Sequence, residues 1–305
     1  MLKVSHSVPD IAVLRGGSSD FKLSLAEGAE VLQSLTKIGY KPLDVLIDRE
    51  GQWTLQGRPT DAHHIFTIAH TVVDTTRMKG ERYQKLAKDM GIPLLFSRAH
   101  DVQMDREDMY RILRQRGIKV PDTVTVRASA PLRDGIFREL WSTYHTPLMI
   151  RPLTRTKDAP SRLVKLFADL ETALRDYHAR GIDVHVLTYR KAPTSSLAVL
   201  RLYTPLWVET FASVNDLPHT GAPMRAHLHA PEWRKEAMKK FVTEAYEALD
   251  LTGPACVDVI EHKDGYTLVN IDPAPSLRKD GRFMQSLGTT GIDAGHYIHS
   301  YVHDL

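Results

Sequence analysis

Asp258, Asn270 and Asp272 stand in the stretch ACVDVIEHKDGYTLVNIDPAPSL, residues 255–277. Asp264-Gly265 is a hairpin turn pair, so its flanks read as two antiparallel strands. Strand alternation puts Asn270 and Asp272 on one face, and Asp258 lies about as far before the turn as Asn270 lies after it. Two carboxylates and an amide gathered there would suit a hard cation such as Mg²⁺. The same spacing also describes a polar sheet face turned to solvent. A second stretch, IAVLRGGSSDFKLSLAEG at 11–28, is an apolar run broken by Gly16-Gly17 and followed by a helical pattern. Such a strand–turn–helix seats a ligand near backbone N–H donors; it also serves simply to let strand and helix pack.

Two further groups carry reactive side chains. His296, His299 and His303 share a helical face opposite Ile298, Tyr301, Val302 and Leu305. They read either as a transition-metal face or as the solvent side of a terminal helix. Cys256 has no neighbouring motif to activate it and reads as a small core thiol. Being the only cysteine, it excludes an internal disulfide and a cysteine metal cage.

The elements that must position these residues follow an α/β pattern. Strand-like runs at 11–14, 43–47 and 65–69 alternate with helical patterns at 24–38 and 81–90. Ser24 to Glu27 fits a capping box, and Gly39 a stop. Further helices are predicted from Asp105 to 116, over 169–180 and over 231–249, with strands at 147–151, 196–203 and 206–211. Of the 305 residues, 42% are hydrophobic and 25% charged, as in ordinary globular domains. A net charge of +3 makes no electrostatic case for nucleic acid. No apolar run approaches the ~18–20 residues of a membrane span, and the N-terminus lacks a signal-peptide core, so a cytoplasmic protein is expected.

Taken in order, these stretches resemble the D-alanine–D-alanine ligases of the ATP-grasp superfamily. The 11–28 turn is similar to the family's first strand–turn–helix. FTIAH ends in His70 as a substrate-site strand does, and Gly91-Ile92-Pro93 resembles the link out of the first domain. Met104-Asp105-Arg106 resembles a Met-Asp-Lys motif, MIRP (149–152) a Val-Lys-Pro strand, and 257–277 the metal-binding hairpin. The resemblance implies three domains: a Rossmann-like unit at 1–100, a central ATP-grasp unit at 101–183 and a C-terminal unit at 184–305. It also implies ATP as phosphoryl donor, an acyl phosphate on one D-alanine, and attack by the amine of a second, in peptidoglycan precursor synthesis.

Position by position, the resemblance assigns Ser19, Asp20, His70 and Ser276 to the amino-acid substrate. Arg106, Arg151 and Tyr189 fall to ATP, Asp20 and Arg151 to catalysis, and Asp258, Asn270 and Asp272 to Mg²⁺, with one ion favoured over two. A homodimer is expected on the same ground. Departures are many. Asp20 replaces Glu, Arg106 and Arg151 replace lysines, and Tyr189 replaces a hinge lysine. Cys256 stands where an arginine would face the oxyanion. LTRTKDAPSR (153–162) has no glycine to match the loop over the phosphates, Thr188 and Ser195 take acidic positions, and 213–232 has no match to the Lys-Tyr loop. A planar guanidinium is no neutral exchange for a mobile ammonium. Three functions stay open: a ligase of altered or reduced activity, a ligase for another amino acid or peptide, and a non-catalytic binding or scaffold protein.

Overall fold

The computed structural model describes residues 10–17, 21–76, 81–95, 106–144, 146–153, 159–189, 194–200, 207–214, 225–226, 231–251 and 253–303. Its N-terminal sheet is built from β1 (Ile11–Gly16), β2 (Leu43–Ile47), β3 (Trp53–Leu55), β4 (Arg58–Thr60), β5 (Thr71–Asp74) and β6 (Leu94–Leu95), in the order β4-β3-β2-β1-β5-β6. β1 runs parallel to β2 and β5, as a crossover through helices requires. Those helices are α1 (Phe21–Lys37), α2 (Ala62–Ile68) and α3 (Glu81–Asp89).

Local chemistry explains two departures from the expected elements. Residues 65–69 lie in α2, not in a strand. The Asp61 carboxylate accepts from the His64 N–H at 2.8 Å, which starts a helix and overrides the β-branched run behind it. The strand is the following TVVD. Ser24 is likewise no cap: α1 begins at Phe21, and the buried Ser24 Oγ accepts from the Gly16 N–H at 2.8 Å, tying the helix to the end of β1.

A second sheet, β7-β10-β8-β9, is antiparallel and comprises β7 (Thr123–Val126), β8 (Leu148–Pro152), β9 (Arg162–Val164) and β10 (Val184–Thr188). It packs on α5 (Asp134–Thr143) and α6 (Phe167–Ala179) around Phe137, Leu140, Ile150, Leu174 and Tyr177. The third sheet, β13-β12-β11-β14-β15, contains β11 (Thr194–Leu200), β12 (Trp207–Val214), β13 (Arg225–Ala226), β14 (Ala255–His262) and β15 (Gly265–Asp272). One face carries α7 (Glu232–Ala248) together with α4 (Arg106–Gln115), whose Met109, Tyr110 and Leu113 join that core. The other face carries α8 (Arg282–Gly288) and α9 (Ala294–His303) and merges with the N-terminal unit through Val31, Leu35, Phe283 and Tyr297. A Cβ at Gly295 would lie 2.6 Å from the Ser34 carbonyl oxygen, so α9 meets α1 where only a glycine fits.

Since β10 belongs to the second sheet, we place the edge of the central unit beyond 188 rather than at 183, and α4 with the C-terminal core. The fold is α/β, with a Rossmann-like first unit.

Candidate functional site

The turn that opens the site rests on two glycines. Gly16 has φ +95° and Gly17 φ +82°. A Cβ on Gly16 would lie 2.1 Å from the Ile47 carbonyl oxygen, which the Gly17 N–H reaches at 2.8 Å. Backbone conformation and close approach of β2 both demand glycine there. Ser19 and Asp20 lie outside the described residues.

His70 does not join this turn. It precedes β5, at the edge where Ile11 pairs with Thr71, and its Nδ1 accepts from the Asp10 N–H at 3.2 Å. The Gly16 turn lies at the far end of β1, about 3.3 Å per residue away. The residues that do reach the turn's end of the sheet are Asp74, Thr75 and Thr76. Buried Asp74 accepts from the Thr76 N–H and Oγ1 at 2.8 and 2.7 Å and from the Tyr83 hydroxyl at 2.6 Å. Burial, with the Asp74 charge beside it, pushes the Tyr83 hydroxyl far above its ordinary pKa, so it stays a donor. A strand read over 71–74 in place of 65–69 would have pointed to this group.

The hairpin forms as expected: Asp258 lies directly across from Asn270, and Cys256 across from Asp272. Its oxygens, however, already have partners. Asp258 is 1% exposed; its Oδ1 accepts from the Ser196 hydroxyl at 2.5 Å. Its Oδ2 accepts from an Arg282 Nη at 2.5 Å and from the Asn270 amide nitrogen at 3.3 Å. Asp272 Oδ1 accepts from the Ala274 N–H at 3.2 Å. Among the described residues no three His, Cys, Asp or Glu side chains are grouped to hold a metal ion. His296, His299 and His303 are exposed, and Tyr40 reaches His299 Nδ1 at 2.7 Å.

Arg106, at the start of α4, bridges the central sheet and the hairpin. One nitrogen donates to the Pro152 carbonyl at 2.8 Å and another to the Asn270 amide oxygen at 3.4 Å. Arg151, on β8, is 6% exposed, and its Nε has no hydrogen-bond partner among the described residues. It lies opposite His185 of β10, whose ring stacks on Tyr110 at 5.8 Å. Tyr189, just past β10, donates its N–H to the Pro147 carbonyl at 2.8 Å. Buried Glu27 of α1 accepts from the Leu277 N–H at 2.6 Å, and Glu30 from the Lys279 N–H at 2.8 Å, so the loop holding Ser276 is strapped to the helix behind the glycine turn. The structure thus brings Arg106, Asp258 and Asn270 together and sets Ser276 near α1. It leaves His70 apart.

No family model matches the chain. A D-alanine–D-alanine ligase of Solibacter usitatus is 22% identical over 304 residues, covering 92% of this chain and 90% of its own. The chain is thus similar to D-alanine–D-alanine ligases along nearly its whole length and shares the fold of those that have been solved. The D-alanine–D-alanine ligase of Coxiella burnetii superposes with a TM-score of 0.78 at 16% identity, over 97% of this chain and 93% of that one. The Bacillus anthracis D-alanine–D-alanine ligase, solved in complex with ATP, gives 0.74 at 17% identity over 97% of each.

Against the D-alanine–D-alanine ligase resemblance, Arg282 is the residue that sequence reasoning missed. It sits ten residues beyond β15 at the first position of α8, and only the fold returns it to Asp258. Burial disfavours its charge, but Asp258, Cys256 and Asp272 more than offset that and raise its pKa. Cys256 is buried, and desolvation, then the Asp258 charge, pushes its thiol well above the ordinary value.

Proposed function

We propose that the chain is an ATP-dependent carboxylate–amine ligase of the D-alanine–D-alanine type, acting on D-alanine or a related amino acid with reduced turnover. The observation that carries this reading is Arg151: a buried guanidinium whose Nε has no partner among the described residues, on the strand that resembles the family's phosphate-binding strand. Buried donors without partners are rare, and a phosphate oxygen would satisfy this one. Arg106 lies on the side facing the hairpin and would share that charge. ATP would supply the phosphoryl group that activates the carboxylate. Within the chain, Arg151 and Arg106 would hold the anion, and the Gly16 turn with Ser19 and Asp20 would seat the amino acid. A cytoplasmic location and a homodimer belong to the same proposal.

Calorimetric titration with ATP, followed by an assay of D-alanine-dependent ADP release, tests it. Nucleotide binding with weak release is the expected result, and Arg151→Ala should weaken binding by about tenfold. Absence of nucleotide binding would sink the ligase reading. A second reading, a non-catalytic protein on the same fold, is favoured by one observation: Asp258 is closed by Arg282, Ser196 and Asn270. Nucleotide binding with no release for D-alanine, D-serine or other D-amino acids would select it.

A further inference from the structure

We infer that Arg282 takes the place of a divalent cation on the β14–β15 hairpin, so that this hairpin is neutralised from within and holds no metal ion. The residues present do not fit Mg²⁺. A hard cation needs oxygen lone pairs converging at about 2.0–2.1 Å with near-octahedral geometry. Asp258, the only one of the three candidate ligands that is fully buried, spends Oδ1 on Ser196 and Oδ2 on Arg282 and Asn270. Asn270 turns its amide nitrogen to Asp258 and its oxygen to Arg106, so the lone pairs that a cation would need face a guanidinium instead. Asp272 is drawn into its own turn by the Ala274 N–H.

The charge count agrees. The cluster holds two carboxylates, Asp258 and Asp272, both acting on Arg282, and a second guanidinium, Arg106, on Asn270; a divalent ion would leave it positive by two charges. A buried carboxylate must be paired, and the bridge at 2.5 Å supplies that pairing without exchange with solvent ions. The side chain of Arg282 keeps 20% exposure, enough for an anion to reach it. The place of the metal becomes a fixed cation facing the same side as Arg106.

The resemblance serves here only to say what the hairpin would otherwise hold. The test is Mn²⁺ uptake by the full chain without nucleotide, followed by the loss of the free-ion electron paramagnetic resonance signal. The natural chain should show surface binding alone, unchanged in Asp258→Asn. Arg282→Ala should uncover a site about tenfold tighter or more, lost again when Asp258→Asn is added. Mn²⁺ binding by the natural chain that Asp258→Asn abolishes would overturn the inference, as would a folded Arg282→Ala that gains no site. Should Arg282→Ala not fold, crystals of the natural chain soaked in Mn²⁺ decide: an anomalous peak at the Asp258 carboxylate overturns it, and its absence there supports it. Neither readout needs ATP or turnover. Failure to bind nucleotide would end the ligase reading and leave this inference standing.

Discussion

Arg151 and Cys256 are both buried, and the two residues predict opposite things. A buried guanidinium with a nitrogen unpartnered among the described residues adds desolvation cost without full return, whereas an apolar side chain of similar length would pack. Arg151→Met is therefore expected to leave the melting midpoint unchanged or to raise stability by about 1–2 kcal/mol, while nucleotide affinity falls. A clear loss of stability on urea denaturation would mean that the guanidinium holds the fold and not a ligand. Cys256 is a protonated core thiol held above its ordinary pKa by burial and by Asp258, so the native chain should resist iodoacetamide at neutral pH. Stoichiometric labelling before unfolding would contradict that. Both positions were legible as side-chain types. Period-two alternation around Asp264-Gly265 was enough to face Asp258 with Asn270. Arg282 was not legible, because its contact depends on where a loop and a short helix return, which no local pattern records.

Element by element, local signals succeeded where one force acted and failed where two competed. The 65–69 run is β-branched and apolar, yet Asp61 caps α2 and the apolar residues Ile65 and Phe66 bury equally well on a helix. Glu27 fitted a capping box by spacing, but its carboxylate serves Leu277 across the sequence. The junction of β7 and β10 offers a test of such long-range polar ties. Asp183 accepts from the Ala128 N–H at 2.7 Å and from Arg127 at 2.9 Å, and Arg127 also bridges to Glu107 of α4. The Ala128 N–H first, and then Arg127, hold the Asp183 pKa below its ordinary value. A depressed carboxylate stabilises the fold above its unfolded pKa and loses that contribution as pH falls through the folded value. Asp183→Asn should thus cost about 1 kcal/mol near neutrality, limited by solvent screening. The gap between variant and natural chain should close in acid below the usual aspartate range. Urea melts showing the same gap at both pH values would remove the carboxylate's charge from the account.

The three units differ in how they share cores, and this sets how the molecule comes apart. Val31, Leu35 and Val73 of the N-terminal unit lie in one apolar cluster with Leu200, Phe283, Leu287 and Tyr297 of the C-terminal unit. Glu27 and Glu30 add hydrogen bonds across the same boundary. The central sheet instead encloses its own core with α5 and α6, and its described ties outward are the stacking of His185 on Tyr110 and polar links through Arg106 and Arg127. Two lobes with one core should open as one cooperative unit, and a lobe with its own core should open separately at lower free energy. Phe283 is 1% exposed within the shared cluster, so Phe283→Ala should cost about 3–5 kcal/mol. Its effect on amide exchange should reach β1 and β5 as well as β11 and β14, although β1 lies some 270 residues away in the chain. Exchange in β8 and β10 should move far less. If Phe283→Ala loosens β11 and β14 and leaves β1 and β5 protected, the lobes are separable. The placement of Arg106 and Arg151 relative to the glycine turn would then be set by hinge motion and not by a common core.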